Sequence, residues 1–363
     1  MISTLPAWNF ITDDGEVIEP TLLVLLRYLQ KEPKLTKAAE HAGISYRHAW
    51  NILNKWNHKL GSPLATQAKG QGTQLTVLGE KLVWAEDLIE ARLSPAMGSL
   101  VSTINRELSG ILNKQENLLR LHASHGYAIE VLSRLITQQS DWAVETRYMG
   151  SSEAIESLIN DNCELAGFHL CTHPLVRNTI RDRYYNLLKE HECTIVRMVY
   201  REQGFIVQKN NPKLLNFLSD LIRPDISFIN RQKSAGTRIL LDVLLDKCKL
   251  DKQRINGYNH EEYTHTAVAA HVASGAADIG FGIEFAARKF NLDFIPIVSE
   301  QYVLAYKSNA QQSKAIISLL DTIKSHEFAK QICELPGYQL DSAGSLVASD
   351  NFLYGNQAEA AFE

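Results

Sequence analysis

The pattern of apolar and polar positions divides the chain into a helical front and a rear in which strand and helix signals alternate. From Glu19 to Gln30 the run EPTLLVLLRYLQ is apolar enough for a buried helix. In the stretch Leu35 to Leu60, a small residue (Ala39) stands four positions before Gly43, and apolar residues (Ala49, Ile52) stand six and nine positions after it. That spacing predicts two short helices crossing around a tight turn, a helix-turn-helix, with Gly43 taking the positive φ. Ser45 is a suitable N-cap for the second helix, which turns Ala49, Ile52, Leu53, Trp56 and Leu60 inward. Its other face carries Tyr46, Arg47, His48, Asn51, Asn54 and Lys55. These donors and aromatics suit base edges and phosphates, so this is the helix expected to enter a major groove. In GSPLATQAKGQGTQLT the glycines and the proline stop helix formation and predict two short strands around Ala68 to Gly72. They form a wing with Lys69 at its tip.

Thr76 is placed to cap a long helix with Leu78, Leu82, Ala85, Ile89 and Leu93 on one stripe. Pro95 is expected to kink or end it, before a second amphipathic segment through Leu100, Ile104, Leu108 and Ile111. A long striped helix next to a small DNA-binding unit suits a dimerisation arm. From Glu116 onward, strand-like NLLRLHAS (117–124), AVETRYMG (143–150) and CELAGFHL (163–170) alternate with helical GYAIEVLSRLITQQ and SSEAIESLIN. Such alternation predicts parallel pairing in an α/β sheet. Two long extended runs, 193–208 and 294–307, flank strand DISFIN, a helix after RQKSAGT, a helix near Thr264 to Ser274 and strand-like AADIGFG. That is the pattern of a two-lobed clamshell hinged by its crossover strands. The predicted organisation is an all-α winged helix-turn-helix domain (1–76), a linker or dimerisation helix (77–115) and an α/β sensing domain (116–363). The sensing domain has one lobe at about 116–198 and 301–363 and the other at about 199–300.

Charge sharpens the reading of the front. Between Pro20 and Leu75 eight Lys or Arg face two acids, a balance of +6 in a chain whose total is −4, as expected of a footprint on phosphate. Lys37, Ser45, Tyr46, Arg47, His48, Asn51, Asn54, Lys55 and Lys69 are the candidate DNA-binding residues. The start MISTLPAWNFITDDGE has neither the basic region nor the apolar core of a signal peptide, and no apolar run reaches bilayer length. A cytoplasmic protein is expected. The five cysteines lack CxxC spacing and read as reduced, mostly structural thiols.

In a sheet of this kind ligands bind at the carboxyl ends of strands, beside helix N-termini. Three such turns carry hydroxyls: Ser124 before Gly126, Ser151 with Ser152, and Ser234, Gly236 and Thr237 followed by Arg238. Each alone is a helix cap; together they make a cradle for a small anion. Arg238 either adds a full charge or pairs with Asp242 one turn on. His125, His169, Thr264, Tyr258 and Tyr302 lie near the same ends. His122-xx-His125 and HEEYTH (260–265) match no zinc motif, and the chain has no P-loop, GxSxG elbow or dinucleotide fingerprint. No catalytic residue, metal or cofactor is expected, and the chain is expected not to be an enzyme.

Two resemblances follow from these stretches. Residues 35–83, especially GISYRHAWNILNKWN and LTVLGEKLV, closely resemble the winged helix of the molybdate-responsive ModE family, which is related to LysR-type regulators. Residues from about 116 to 345, especially VYREQGFIVQKNNP, INRQKSAGTRILLD and GYNHEEYTHTAVAAHVASGAADIGFGIE, resemble the periplasmic-binding-protein-like (type 2) domain attached to molybdopterin-biosynthesis proteins. The resemblance implies a regulator in which a clamshell senses a small ligand and the winged helix reads double-stranded DNA, and with the striped helix a homodimer or higher homo-oligomer is expected. The sensor of ModE is a pair of small β-barrel modules, unlike this α/β half. A molybdate- or tungstate-like oxyanion suits the cradle, and formate or a pterin-linked molecule suits the family context. An enzyme of molybdenum-cofactor metabolism or a ligand-binding chaperone is the alternative.

Overall fold

The computed structural model describes residues 4, 7–68, 72–111, 117–171, 179, 182, 184–188 and 190–348. It divides into two compact units, Leu5–Ala91 and a larger one formed by Arg92–Glu363 with Met1–Thr4. The smaller unit packs α1 (Pro20–Lys31), α2 (Leu35–His41) and α3 (Tyr46–Lys59) around Leu22, Leu26, Ala39, Ile52 and Trp56. Gly43 takes φ +67°, the left-handed turn that its place between α2 and α3 demands. Ser45 caps α3 by accepting the His48 N–H. Strands β1 (Ala65–Ala68) and β2 (Gly72–Leu75) pair antiparallel as the wing, and Lys69 lies outside the described residues.

Helix α4 runs unbroken from Val77 to Ile111. Of the two outcomes expected at Pro95, a kink or an end, the end does not occur. A proline forfeits one N–H and crowds the preceding turn, but good helix formers on either side (Ala91, Leu93, Ala96, Met97) carry the helix past it. The unit boundary at Ala91/Arg92 falls inside this helix, whereas the sequence pattern placed the linker at 77–115.

The larger unit is built on one sheet of β3 (Asn117–Ala123), β4 (Trp142–Tyr148), β5 (Leu165–Cys171), β6 (Cys193–Val207), β7 (Phe228–Arg231), β8 (Glu261–Glu262), β9 (Ile279–Ile283) and β10 (Asp293–Lys307). Its order is β4-β3-β5-β10-β6-β9-β7-β8, with β11 (Tyr338–Gln339) and β12 (Leu346–Ala348) added along β6. The pairs β3–β4, β3–β5, β7–β9 and β7–β8 are parallel, as strand-helix alternation requires. The 15-residue strands β6 and β10 run antiparallel to each other and pass through both lobes, so the sheet is mixed. Helices α5 (Tyr127–Gln139), α6 (Ser151–Ile159), α7 (Gly236–Lys247) and α8 (His265–Ala273) each follow a strand. Farther along come α9 (Glu284–Lys289), α10 (Lys314–Ile323) and α11 (His326–Cys333).

Strands β6 and β10 leave no room for a side chain at Gly204, where an added Cβ would stand 2.0 Å from the Ile295 carbonyl oxygen. Gly204→Ala forces these two backbones apart. Urea unfolding should show a loss of about 1–3 kcal/mol, the usual cost of overpacking. An unchanged midpoint would mean that the crossing is slack.

Candidate functional site

Four strand-to-helix turns of the larger unit, β3–α5, β4–α6, β7–α7 and β8–α8, meet around a cavity of about 420 Å³. Its walls carry Ser124 and His125 from the first turn, Tyr148, Gly150 and Ser151 from the second, Ser234, Gly236 and Thr237 from the third, and Tyr263 and His265 from the fourth. The helix N-termini therefore bring partial positive charge to one place. Its floor is supplied by strands: His169 of β5, Arg201 and Gln203 of β6, Arg231 of β7 and Glu300 of β10. Arg201 and Glu300 are direct cross-strand partners, and Arg201 Nε donates to Glu300 Oε1.

Seven of the anticipated ligand residues line this cavity: Ser124, His125, Ser151, His169, Ser234, Gly236 and Thr237. Four are placed elsewhere. Ser152 is one residue farther round α6 than Ser151 and does not line the cavity. Arg238 turns away from it: its guanidinium pairs with Asp242 (3.1 Å) and Glu261 (3.4 Å) and stacks 4.0 Å above the Tyr258 ring. Thr264 spends its hydroxyl capping α8 at the Ala267 N–H. Tyr302 is a buried support, whose hydroxyl donates to the Ser124 carbonyl at 2.7 Å.

Arg201, Gln203, Arg231, His265 and Glu300 are the floor and wall residues that reading from turns missed. One sequence signal marks three of them. Arg201-Glu202-Gln203 and Ser299-Glu300-Gln301 each interrupt a long apolar run, and the two triplets face each other in the β6–β10 register.

The charges do not balance locally. Arg201 has Glu300, and burial, which opposes its charge, is outweighed by that carboxylate, so its pKa is raised. Among the described residues Arg231 makes no ion pair. Its Nε donates to Gln232 (3.1 Å), Nη2 donates to the Tyr263 carbonyl (3.1 Å), and Nη1 has no partner. Burial, and then the Arg201 guanidinium, push its pKa down to about 9. Among the described residues, other side chains that line the cavity carry buried polar atoms without hydrogen bonds: Arg201 Nη1, both amide atoms of Gln203, Ser151 Oγ and His265 Nδ1. Each such atom costs about 1–3 kcal/mol unless something satisfies it. The same environment keeps the histidines neutral. Burial, then Arg201, drives His169 well below the ordinary range, while burial, then Arg231, does so for His265. Ser124 holds His169 Nδ1 at 2.8 Å. Among the described residues no group of three or more His, Cys, Asp or Glu gathers as a metal site.

A profile of the PBP superfamily domain matches residues 132–324, more than half of the chain. The chain belongs to the PBP superfamily. In the PBP domain the cavity sits where β6 and β10 join the lobes, with a ModE-like winged helix-turn-helix ahead of it in sequence. The chain is similar to YvgK of Bacillus subtilis (strain 168), 30% identical over 221 residues that cover 61% of this chain and 70% of that protein. It is similar to the molybdenum-pterin-binding protein MopB of Rhodobacter capsulatus, 27% identical over 186 residues, 44% of this chain and 67% of MopB. It is also similar to the transcriptional regulator ModE of Yersinia pestis, 31% identical over 86 residues, 23% of this chain and 33% of ModE.

On α3 of the winged unit Tyr46, Arg47, His48 and Asn51 are exposed and Asn54 is half-buried. Lys37 is paired with Glu40 (2.8 Å) and Lys55 with Glu16 (2.9 Å), surface contacts that can exchange for phosphate. Trp50, exposed beside them, escaped the reading of this face.

His169 and His265 bind protons in the unfolded chain below about pH 6.5 but not in the fold, so the unfolded state gains protons first on acidification. Their contribution is full above that pH and is lost below it. Urea unfolding between pH 7.5 and 5 should show stability falling by up to about 1.4 kcal/mol per pH unit for each histidine. The double variant His169→Gln, His265→Gln should flatten the slope; a wild-type slope in that variant refutes the assignment.

Proposed function

We propose that the protein is a ligand-responsive transcriptional regulator and not an enzyme. The winged helix-turn-helix reads double-stranded DNA, and the PBP domain binds a small oxyanion of the molybdate or tungstate class. The observation that carries the ligand class is Arg231, a buried guanidinium that makes no ion pair among the described residues, at the meeting point of four helix N-termini. An anion supplies the missing charge. Among the described residues, donors without hydrogen-bond partners belong to several residues that line the cavity: Arg201 Nη1, Arg231 Nη1, Gln203 Nε2 and Ser151 Oγ. A four-oxygen anion satisfies more of them than formate, which offers two oxygens in one plane.

The stretch from Pro20 to Leu75 supports the output side through its basic balance, and α3 does so through its exposed face. The names of MopB and ModE, a molybdenum-pterin-binding protein and a transcriptional regulator, support both halves of the reading. Leu93 and Leu100 stand exposed on α4 one heptad apart, which favours a homodimer formed through this helix. A regulator that contacts DNA works in the cytoplasm, and among the described residues no helix is long and apolar enough to cross a membrane.

Thermal unfolding in molybdate, tungstate, sulfate, phosphate and formate tests the effector. A bound anion at 100 times its Kd adds about 2.7 kcal/mol, a rise of several degrees in Tm. Arg231→Gln should lose that rise. Arg47→Ala should keep it while weakening retention of DNA fragments in a mobility-shift assay. No shift with any oxyanion, or DNA retention that ignores both sequence and salt, sinks the proposal.

A further inference from the structure

From Arg92 onward α4 belongs to the larger unit, and there it contacts both lobes of the PBP domain. On the first lobe β4 is an edge strand of the sheet. Ser102 Oγ accepts the Thr146 N–H at 2.9 Å, and Ser99 Oγ accepts the Tyr148 N–H at 3.1 Å. Two hydroxyls one helical turn apart thus occupy alternate outward amides of an edge strand. At Gly98 the helix passes the Tyr148 ring at contact distance, 3.5 Å from where a Cβ would stand. On the second lobe Arg92 grips Glu262: Nε lies 3.2 and 3.1 Å from the two carboxylate oxygens, and Nη2 also donates. The Glu262 side chain is 3% exposed and that of Arg92 50%. His271 of α8 holds its Nδ1 3.4 Å from the same carboxylate. Arg92 also lines the cavity described above.

We infer that Arg92, supplied by α4, is an effector-binding residue that an oxyanion in the cavity draws away from Glu262, releasing the strap that α4 forms across the two lobes. The inference rests on the oxyanion reading of the cavity. Arg92 is positioned for both partners, whereas Glu262 is fixed and buried. A doubly charged oxyanion competes well for a half-exposed guanidinium, since its fork of N–H donors fits either partner. Once Arg92 turns inward, His271 Nδ1, which also lies 3.1 Å from the Ala267 carbonyl, remains 3.4 Å from the Glu262 carboxylate. The other tie, at Ser99 and Ser102, stays on the first lobe. The helix that carries Arg92 begins in the winged unit, where Arg27 pairs with Glu86 and Asp87 on it. Loss of one tie therefore acts on the element that leads to the DNA-binding unit.

The test uses the full chain, with sodium molybdate and inorganic phosphate as probes, titration calorimetry and amide hydrogen exchange. Arg92→Gln should weaken binding of the preferred anion about tenfold, and Glu262→Gln, which frees Arg92, should tighten it. Arg92→Lys keeps the charge without the fork, and should fall between wild type and Arg92→Gln even if the latter folds poorly. In wild type the anion should raise exchange over residues 92–98, and in Ser99→Ala, Ser102→Ala exchange at Thr146 and Tyr148 should rise without any anion. Unchanged affinity in both Arg92 variants, or exchange over 92–98 that the anion leaves unaltered, overturns the competition. Exchange at Thr146 and Tyr148 unaffected by the serine substitutions overturns the strap. If neither probe binds wild type, the oxyanion reading fails and the competition with it, while the serine variant still judges the strap.

Discussion

Two guanidinium groups, Arg201 and Arg231, are buried in one cavity with one buried carboxylate among its described lining residues, Glu300, on the strands that join the lobes. Taking charge out of water is expensive, and the four helix N-termini that converge there add to the positive potential. The surroundings are arranged around that constraint. His169 and His265 stay neutral, Glu153 is committed to the Gly150 N–H at the start of α6, and Glu262 is committed to Arg92. What remains is a buried positive charge with several idle donors, a site whose electrostatics the proposed small anion would complete.

The scaffold explains how such a site is held. The antiparallel strands β6 and β10 extend through both lobes and bring Arg201 and Glu300 into register, while Gly204 permits their close approach. Parallel strands on either side end in turns that deliver Ser124, Ser151 and Thr237. Every wall of the cavity therefore depends on strand order, and a slip of one residue in β6 would turn Arg201 and Gln203 to the opposite face of the sheet.

Much of this was legible in the sequence, and the exceptions have physical reasons. Periodicity located the three front helices, the wing, the alternating strands and the two long crossover runs, because each is amphipathic or continuously apolar over its own length. The cap at Ser45 and the hydroxyls of the turns were visible because a helix start has its own chemistry. Arg201, Gln203 and Glu300 were harder, since their meeting is set by antiparallel register between residues about a hundred positions apart. Arg238 was ambiguous for the opposite reason: its local partner Asp242, one turn away, was as visible as any ligand and won. Pro95 left a kink and an end both open, and the helix-forming sequence on both sides of it carries the helix through.

In the account proposed here one charge imbalance supplies the sensitivity and one continuous helix carries it toward the DNA-binding unit. Thermodynamic linkage makes that coupling reciprocal. The most direct measurement is calorimetric titration of molybdate into the full-length protein, alone and saturated with a DNA fragment that it retains. The account predicts two dissociation constants that differ by about 5- to 150-fold, matched by the same factor in DNA affinity with and without the anion. Measurable molybdate binding with identical constants in the presence and absence of DNA would contradict it.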